Sequence, residues 1–508
     1  MSITPEIGID EIPIYAGGLG VLEGDKFIEA SKLGLEYTVL TLFYRRGYVY
    51  YKPDPQRGFV VDERDFSEFL KKLKSEDPLE TSFMGRTIKA VPYVLEKNSA
   101  KIVYFYVQEP EDVARSLEKL YIEDNQEIHE MKYSLLAKLS YEYIDKRIGF
   151  DKVTVIDMQE SLASLISLLL PPSVRKRLIV HTPGPWGHPR FSHEVLAREF
   201  GYVGGENMIT RISGSRADTI FTVSEKHYKV TRATFPEFDH KLSYVTNGVS
   251  LDRWVDPRLR EFLGKEVIDK EDFWRRHIEI KRDLLNLLRR YKEDIDGDVN
   301  KPIVSWARRL TRYKRPYFAV RLIEDTVHEE DAIFVLGGKA HPRDLEGFGY
   351  MKIFKELHSE YRNVVYIYDY DIEKAKLILA GSDLLLFTPF PGWEASGTSF
   401  MKAGVNGVPT LASRDGAALE MIRDGFNGWF FGSDIDYPID LYSSSASEID
   451  QRDYKDLYEK YRNIMTLYVN NLDQYIEIMI NVFKTFVVEA DINRVIREYY
   501  RKYLSKGS

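Results

Sequence analysis

Short runs of β-branched and apolar residues alternate with longer amphipathic stretches along most of this chain, and this alternation limits the possible folds more than any other feature. It predicts strands at residues 36–42, 153–157, 178–181 and 219–223 in the first half of the chain, and at 303–306, 332–336, 364–368, 384–387 and 410–412 in the second half. Strands separated by helical segments are typical of βαβ units and parallel sheets. We therefore expect an α/β protein with two doubly wound, Rossmann-like domains that face each other across a cleft.

Two helical regions divide this pattern. Residues 271–291 place Trp274, Ile278, Leu285 and Leu288 at helical spacing, with Arg and Lys on the other faces. The last stretch, about 454–504, is rich in Tyr, Ile and Leu and predicts further helices. The expected organisation follows in chain order: a Rossmann-like domain over 1–255, a helical connection over 256–300, a second Rossmann-like domain over 301–440 and C-terminal helices over 441–508.

Composition excludes several classes of protein. The 71 Lys and Arg residues against 79 Asp and Glu give a formal net charge of −8, which argues against non-specific nucleic-acid binding. With no cysteine in the chain, there are no disulfides, thiolate zinc sites or cysteine nucleophiles. No signal peptide is visible, and the longest apolar stretch, near 161–170, is too short to cross a bilayer. We expect a cytoplasmic protein that needs no metal and has neither a nucleic-acid nor a membrane partner, while a homo-oligomer stays open.

A basic segment follows the strand predicted at 303–306. Residues 308–315, RRLTRYKR, contain five cations, and they begin where ligands bind in a parallel sheet, beyond the carboxyl end of a strand. Arg offers bidentate recognition of phosphate and Lys a point charge. A solvated basic loop is the alternative, but the position after a buried strand favours phosphate binding.

Two other segments could bring backbone N–H groups to a ligand. Residues 392–402, GWEASGTSFMK, follow the strand at 384–387, and Glu394 in this segment could accept hydrogen bonds from sugar hydroxyls. Residues 16–20, AGGLG, precede a helix and would let the backbone approach an anion closely. By itself, Glu394 could equally be a structural residue at a helix N-terminus, and the two glycines could belong to an ordinary turn.

Three shorter segments are ambiguous when each is taken alone. His181 comes at the end of a predicted strand, Asn247 and Gly248 form a turn-like pair, and residues 337–342, GGKAHP, follow another strand. Each of them is also consistent with a plain loop.

Taken together and in this order, the segments resemble the α-glucan (glycogen, starch, maltodextrin) phosphorylase family, especially its bacterial and archaeal branch. The resemblance extends to about Gly432, and EASGT followed by MK is its most specific part. The matching segments are residues 14–20, 181–183, 207–208, 246–249, 308–315, 338–342, 369–371, 394–402 and 406–407.

The resemblance implies the GT-B fold and a retaining glycosyltransferase that carries out reversible phosphorolysis of α-1,4-glucan or maltodextrin, exchanging inorganic phosphate and glucose 1-phosphate. It implies pyridoxal 5′-phosphate as an imine on Lys402, with the cofactor's phosphate exchanging a proton with inorganic phosphate. The domain over 1–255 would then be the glucan side and the domain over 301–440 the cofactor and phosphate side.

The resemblance also implies a role for each matching residue. Arg309 and Lys314 would hold the phosphates, and with Lys402 and His181 they form the expected catalytic set. Arg308, Tyr370 and Thr398 would line the cofactor. The sugar contacts would come from Tyr313 to the 2-OH, Glu394 to the 3-OH, Asn247 with His181 to the 6-OH, and Gly18, Leu19 and Gly397 through their backbone N–H groups.

The chemistry agrees with these roles. Breaking a glycosidic bond passes through an oxocarbenium-like state, and two phosphate dianions held beside it need several fixed cations. A phosphate group with a pKa near neutrality can act as acid and base, so no separate pair of catalytic carboxylates is required.

Two other functions stay open. A nucleotide-sugar glucosyltransferase of the glycogen-synthase kind would share the fold, but its relatives place a lysine where this chain has Tyr15 and a second glutamate where it has Lys402. A non-catalytic glycan- or phosphate-binding protein is the third possibility. The presence of Arg309, Lys314, Glu394 and Lys402 together argues against it.

Overall fold

The structure is a computed structural model that describes residues 1–329 and 332–504. Residues 505–508 of the predicted C-terminal segment lie outside the described residues. Contacts divide the chain into two compact units. Unit 1 contains Met1–Tyr48, Glu63–Thr246 and the chain from Val495 to the end of the described residues, and unit 2 contains Val49–Asp62 and Asn247–Arg494. The domain boundaries expected from the sequence stay predictions.

The strands of the described chain belong to three sheets. In chain order they are β1 (Ser2–Ile3), β2 (Thr38–Leu42), β3 (Tyr51–Asp54), β4 (Gly58–Val61), β5 (Lys74–Ser75), β6 (Leu79–Phe83), β7 (Arg86–Lys97), β8 (Ala100–Glu109), β9 (Ile156–Gln159), β10 (Lys176–Ile179), β11 (Thr219–Thr222), β12 (Leu242–Tyr244), β13 (Ile303–Ala307), β14 (Ile333–Gly337), β15 (Val364–Ile367), β16 (Leu384–Phe387), β17 (Thr410–Ser413) and β18 (Trp429–Phe431).

The helices of the described chain alternate with these strands. They are α1 (Gly18–Lys32), α2 (Glu111–Ser116), α3 (Gln126–Tyr143), α4 (Glu160–Ala163), α5 (His193–Phe200), α6 (Ile209–Arg216), α7 (Glu225–Thr234), α8 (Leu251–Trp254), α9 (Lys270–Arg289), α10 (Pro316–Thr326), α11 (Leu345–Glu360), α12 (Ile372–Gly381), α13 (Ser399–Gly404), α14 (Ala418–Met421), α15 (Ser444–Asn470), α16 (Leu472–Glu489) and α17 (Ile492–Leu504). No helix in the described residues is long and apolar enough to cross a membrane.

Unit 1 is built on a sheet whose parallel part has the strand order β8-β2-β1-β9-β10-β11-β12. Counted along the chain, these strands run 3-2-1-4-5-6-7, so the order reverses between β1 and β9, the topological switch point of a doubly wound sheet. A hairpin of β7 and β8, with β5 and β6 paired to β7, extends the sheet in antiparallel fashion.

Unit 2 has a fully parallel sheet in the order β15-β14-β13-β16-β17-β18. Along the chain this is 3-2-1-4-5-6, and the switch point lies between β13 and β16. The strands are buried along their whole length apart from the start of β18, as expected for a parallel sheet covered on both faces. The separate hairpin of β3 and β4 also belongs to unit 2, where Phe59 packs against Tyr366 and Tyr368.

Helix α9 forms part of the core of unit 2. Its Leu284, Leu285 and Leu288 pack in one cluster with Ile303 of β13 and Val335 of β14. The helix begins at Lys270, because the Asp269 side chain accepts a hydrogen bond from the Asp272 N–H and caps it.

The fold class predicted from the sequence, two Rossmann-like domains of the GT-B kind, is confirmed. The strands predicted in both halves are present, although β9 and β10 are displaced by two or three residues from the predicted ranges 153–157 and 178–181. The sequence analysis did not identify β7 and β8, which are 12 and 10 residues long.

Candidate active site

The basic segment lies at the switch point of unit 2. Arg308 and Arg309 directly follow β13, and the loop that carries Glu394 follows β16, the neighbouring strand on the other side of the reversal. Because the carboxyl ends of parallel strands meet at one edge of a sheet, these two segments come together there.

Arg308 and Glu394 form a buried ion pair. Nη2 of Arg308 donates to Oε2 of Glu394 at 2.8 Å, and the guanidinium lies 4.3 Å from the centre of the Phe387 ring. Nε and Nη1 of Arg308 are buried and have no hydrogen-bond partner among the described residues. A buried guanidinium with two unused donors is a site for an anion.

Lys314 shares the same carboxylate. Its Nζ lies 3.5 Å from Oε2 of Glu394, and the lysine side chain is only 12% exposed. Burial, with the positive charges of Arg308 and Arg309, lowers the pKa of the Lys314 ammonium from 10.5 to about 7, although Glu394 opposes this shift. Burial works against ionisation of Glu394, but the charges of Lys314, Arg308 and Arg309 outweigh it, so the pKa of Glu394 is lowered and the side chain is a carboxylate at neutral pH.

Two other cations of the basic segment form ion pairs with carboxylates outside this cluster. Arg312 pairs with Glu346 at 2.8 Å, and Arg315 is fully buried and pairs with Asp453 at 2.9 Å. Of the five cations, Arg308 and Lys314 contact Glu394, and Arg309 acts on the pKa of both Lys314 and Glu394.

Two predicted tyrosines border this cluster. Tyr313 is buried, stacks on Trp393 with ring centres 6.5 Å apart, and has its pKa raised by burial and by the charge of Glu394. Tyr370 follows β15, and burial raises its pKa, whereas the charge of Arg308 lowers it. Both side chains are neutral phenols at physiological pH and can donate hydrogen bonds.

The loop that holds Glu394 is fixed by Asp415, a buried residue that follows β17. The Asp415 carboxylate accepts from the N–H groups of Gly392, Trp393 and Glu394 at 2.9, 3.1 and 2.7 Å. The sequence analysis did not identify Asp415. Its position soon after β17, a strand of the same sheet, could have indicated a role at the site.

Gly397 and Thr398 lead from this loop into α13. Gly397 has φ +73°, and a Cβ there would stand 2.4 Å from Cζ of Phe387. Thr398 precedes the first residue of α13, and its carbonyl oxygen accepts from the N–H of Lys402.

Lys402 lies on α13 and is buried. Its Nζ stands 4.2 Å from the centre of the Trp254 ring. Asn406, which sequence reasoning left without a role of its own, donates to the carbonyl oxygens of Lys402 and Trp254, each at 2.8 Å, and accepts from the N–H of Asp256. The Lys402 helix and the Trp254 segment are therefore tied together through one buried amide.

Close backbone packing surrounds Arg308. The N–H of Arg308 donates to the carbonyl of Gly337, and Gly338 has φ +134° with the Arg308 carbonyl oxygen only 2.0 Å from where a Cβ would stand. Only glycine fits at 338, so the GGKAHP segment has a steric role beside the site.

Asn247 belongs to unit 2, although it comes soon after β12 of unit 1. It is buried, and its carbonyl oxygen accepts from Nη2 of Arg494 at 3.1 Å.

The remaining predicted residues lie in unit 1. Gly18 and Leu19 are the first two residues of α1, whose first-turn N–H groups have no partner within the helix. Nε2 of His181 lies 2.8 Å from Oε1 of Gln159. Burial, together with the charges of Lys26 and His227, lowers the pKa of His181 well below its usual value, so its ring is neutral.

Within the described residues, no group of three or more His, Asp or Glu side chains is arranged to hold a metal ion. The site consists of cations, one carboxylate, neutral phenols and backbone groups.

Each unit contains a doubly wound sheet with a reversal of strand order, which is the architecture of the GT-B glycosyltransferases. Comparison with known proteins shows which of them the chain resembles. Residues 328–505 match the model of the carbohydrate phosphorylases. Maltodextrin phosphorylase of Thermococcus litoralis is 27% identical over 99% of this chain and 70% of the relative. Glycogen phosphorylase of Aquifex aeolicus is 26% identical over 99% of this chain and 86% of the relative, and that of Mycobacterium tuberculosis is 25% identical over 84% and 61%.

The resemblance drawn from the motifs is confirmed: the chain is similar to maltodextrin and glycogen phosphorylases over nearly its whole length and is an α-glucan phosphorylase-like glycosyltransferase.

Proposed function

We propose that this enzyme carries out reversible, retaining phosphorolysis of α-1,4-glucan, giving glucose 1-phosphate, with pyridoxal 5′-phosphate held through Lys402. The observation that carries the proposal is the buried Arg308 guanidinium, which is anchored on Glu394 beside Lys314 and has two donors unused in the described chain.

The charge balance of this cluster supports a phosphate site. Arg308, Arg309 and Lys314 act on one carboxylate, Glu394, so the cluster has excess positive charge at a strand's carboxyl end. Arg309 and Lys314 would hold the phosphate dianions, and the unused N–H groups of Arg308 would donate to the cofactor. Fixed cations in a buried site stabilise developing negative charge more strongly than water does.

The residues predicted for the cofactor have suitable chemistry. The Lys402 side chain is buried against the Trp254 ring, and Tyr370 and Thr398 offer hydroxyl groups. Lys402 would hold the cofactor covalently, and Arg308, Tyr370 and Thr398 would line it. When bound, the cofactor supplies a phosphate group that can exchange a proton near neutral pH.

The sugar contacts are those that the resemblance implies, and the ionisation states agree with them. Glu394 is ionised and would accept from the 3-OH, whereas the Tyr313 phenol is neutral and would meet the 2-OH. Asn247 and the neutral ring of His181 would contact the 6-OH. Gly18, Leu19 and Gly397 would present backbone N–H groups to the substrate. Together these contacts would orient the glucose unit so that phosphate, rather than water, reaches the reacting carbon.

The direct test is the release of glucose 1-phosphate from maltodextrin and inorganic phosphate, measured with and without added pyridoxal phosphate. The purified protein should absorb in the near ultraviolet, and borohydride should fix that chromophore on Lys402. Consumption of a nucleotide-glucose by a protein without this absorbance would contradict the proposal.

Substitutions in the basic segment test the phosphate site. Arg309→Ala and Lys314→Ala should abolish phosphorolysis with the fold intact, because each removes about 3 kcal/mol or more of charge stabilisation. The matched control is Arg312→Ala, which removes a cation of the same segment that pairs with Glu346. Near-normal turnover in both test variants would show that phosphate binds elsewhere.

We also propose that the enzyme acts in the cytoplasm, since a chain of 508 residues without cysteine suits a reducing compartment. Its partners would be α-glucan or maltodextrin, inorganic phosphate and glucose 1-phosphate.

A further inference from the structure

Neutral polar side chains lie at the carboxyl ends of the parallel strands in unit 1. Gln159 ends β9 and Glu160 begins α4, His181 follows β10, and His227 lies in the first turn of α7 after β11. The strand order places the switch point of this sheet between β1 and β9, where doubly wound sheets bind their ligands. Glu160 therefore occupies, in unit 1, a position equivalent to that of the Glu394 loop in unit 2.

Glu160 is held in an unusual conformation. Its φ is +69°, in the left-handed region that favours glycine, and the residue is only 7% exposed. Oε1 of its carboxyl group accepts from the N–H of His181 at 3.2 Å and from Oγ1 of Thr182 at 2.5 Å. Backbone strain of this kind persists where the surroundings fix a side chain in place, and it is common at ligand sites.

The two carboxyl oxygens of Glu160 differ in their surroundings. Oε2 of Glu160 is buried without a hydrogen-bond partner among the described residues. Burial raises the pKa of Glu160 to about 8, although hydrogen bonds from Thr182 and from the N–H groups of Ser161 and His181 oppose the shift. Oε1 is already an acceptor, so Oε2 is the oxygen that remains for a ligand, and it is an O–H donor when the acid carries its proton there.

The neighbouring groups are also neutral. His227 is 1% exposed, and neither of its ring nitrogens has a hydrogen-bond partner in the described part of the chain. Burial lowers the pKa of His227 to about 3, and His227 is near enough to His181 to influence its pKa. The cation close to His181 is Lys26, which pairs with Glu23 at 2.8 Å.

We propose that Glu160 is a substrate-binding residue whose buried Oε2, which has no hydrogen-bond partner in the described chain, donates a hydrogen bond to a hydroxyl oxygen of the glucan. This inference rests on the proposed function and specifies how unit 1 recognises the sugar. A phosphate dianion would need an excess of positive charge, as the switch point of unit 2 provides, whereas a sugar hydroxyl can accept from a carboxylic acid and both donate to and accept from neutral imidazoles. The neutral hydrogen-bonding groups at this edge of the sheet in unit 1 are suited to an uncharged polyol.

Two substitutions separate a donor from an acceptor at this position. In Glu160→Gln the amide oxygen can accept from Thr182 and His181 while the amide nitrogen donates, so the Kd for maltodextrin, measured by calorimetry, should stay within about threefold of the original. In Glu160→Leu the donor is lost, and maltodextrin should bind about tenfold more weakly or worse, with phosphate binding unchanged. Binding of maltodextrin by Glu160→Leu as tight as in the original protein, or equal weakening in both variants, would overturn the inference.

Infrared difference spectroscopy on the unsubstituted protein gives an answer that does not depend on the folding of Glu160→Leu. The carbonyl stretch of a protonated carboxylic acid should be present, should shift when maltodextrin is added, and should be missing in Glu160→Gln. A protein that binds maltodextrin with no such shift would contradict the role of Glu160 and leave the proposed function standing. A protein that binds no maltodextrin at all would overturn the proposed function.

Discussion

Oε2 of Glu394 accepts from Nη2 of Arg308 at 2.8 Å and lies 3.5 Å from Nζ of Lys314, so one carboxylate oxygen orients two cations. The two partners lie 86 and 80 positions earlier in the sequence. In this arrangement the Arg308 guanidinium has unused donors in the described chain, and the pKa of Lys314 is lowered to about 7.

Neutralising the shared carboxylate should disable the site. In Glu394→Gln, Arg308 and Lys314 lose their counter-charge and the 3-OH keeps only an uncharged acceptor, so we expect kcat to fall about 100-fold or more. The assay is glucose 1-phosphate release from maltodextrin. Glu346→Gln is the matched control, because Glu346 accepts from Arg312 at the same distance of 2.8 Å and should be dispensable for turnover. Equal loss in both variants would show a general effect of breaking an ion pair.

The pH dependence of KM for phosphate should reflect the ionisation of Lys314. A lysine with a pKa of about 7 is charged below that pH and becomes neutral as the pH rises through it, so phosphate should bind more weakly on the alkaline side. Lys314→Arg keeps its charge throughout and should flatten the profile of KM for phosphate between about pH 6 and about pH 9. Because inorganic phosphate itself titrates in this range, the comparison of the two proteins in the same buffers isolates the lysine. Parallel profiles would contradict the assignment.

Gly338 should tolerate no side chain. A Cβ at this position would meet the Arg308 carbonyl oxygen at 2.0 Å with φ at +134°, so Gly338→Ala should cost about 2 kcal/mol or more and displace Arg308. The control is Gly349→Ala in α11, where no atom lies within 4 Å of the added Cβ and the gain in helix propensity should stabilise the protein by about 0.5–1 kcal/mol. Denaturant unfolding measures both changes. A stable, active Gly338→Ala protein would show that this loop can relax.

Asn406 should affect the binding of the cofactor, because it positions the helix that carries Lys402. Asn406→Leu removes three buried hydrogen bonds, which should cost about 1–3 kcal/mol and release the Lys402 helix from the Trp254 segment. Asn427 is equally buried and also makes three hydrogen bonds, away from Lys402. Asn427→Leu should therefore lose similar stability but retain the near-ultraviolet absorbance of bound cofactor, which Asn406→Leu should lose. If both variants lose that absorbance, the effect is one of general stability.

Much of the framework was predictable because it depends on local sequence. Buried parallel strands such as β13 and β16 are continuous apolar runs, and a functional segment in such a sheet follows a strand. β7 was missed because it alternates between buried and half-exposed positions and has no continuous apolar run, whereas β8 does contain such a run, IVYFYV at residues 102–107, and could have been identified. The motif residues of the site could be named from the sequence, whereas Asp415 and Glu160 carry no motif that distinguishes them from ordinary loop residues.

The sequence by itself determined the class of the fold, the position of the basic segment after a strand and the resemblance to the phosphorylases, since each depends on residue order and spacing. Only the tertiary structure decided which carboxylate each cation of the basic segment contacts. Arg312 pairs with Glu346 and Arg315 with Asp453. Arg308 and Lys314 both contact Glu394. The tertiary structure also decided that burial lowers the pKa of Lys314 and raises the pKa of Glu160. The physical reason is that desolvation and charge pairing depend on which groups surround a side chain, and those groups come from parts of the chain that folding alone brings together.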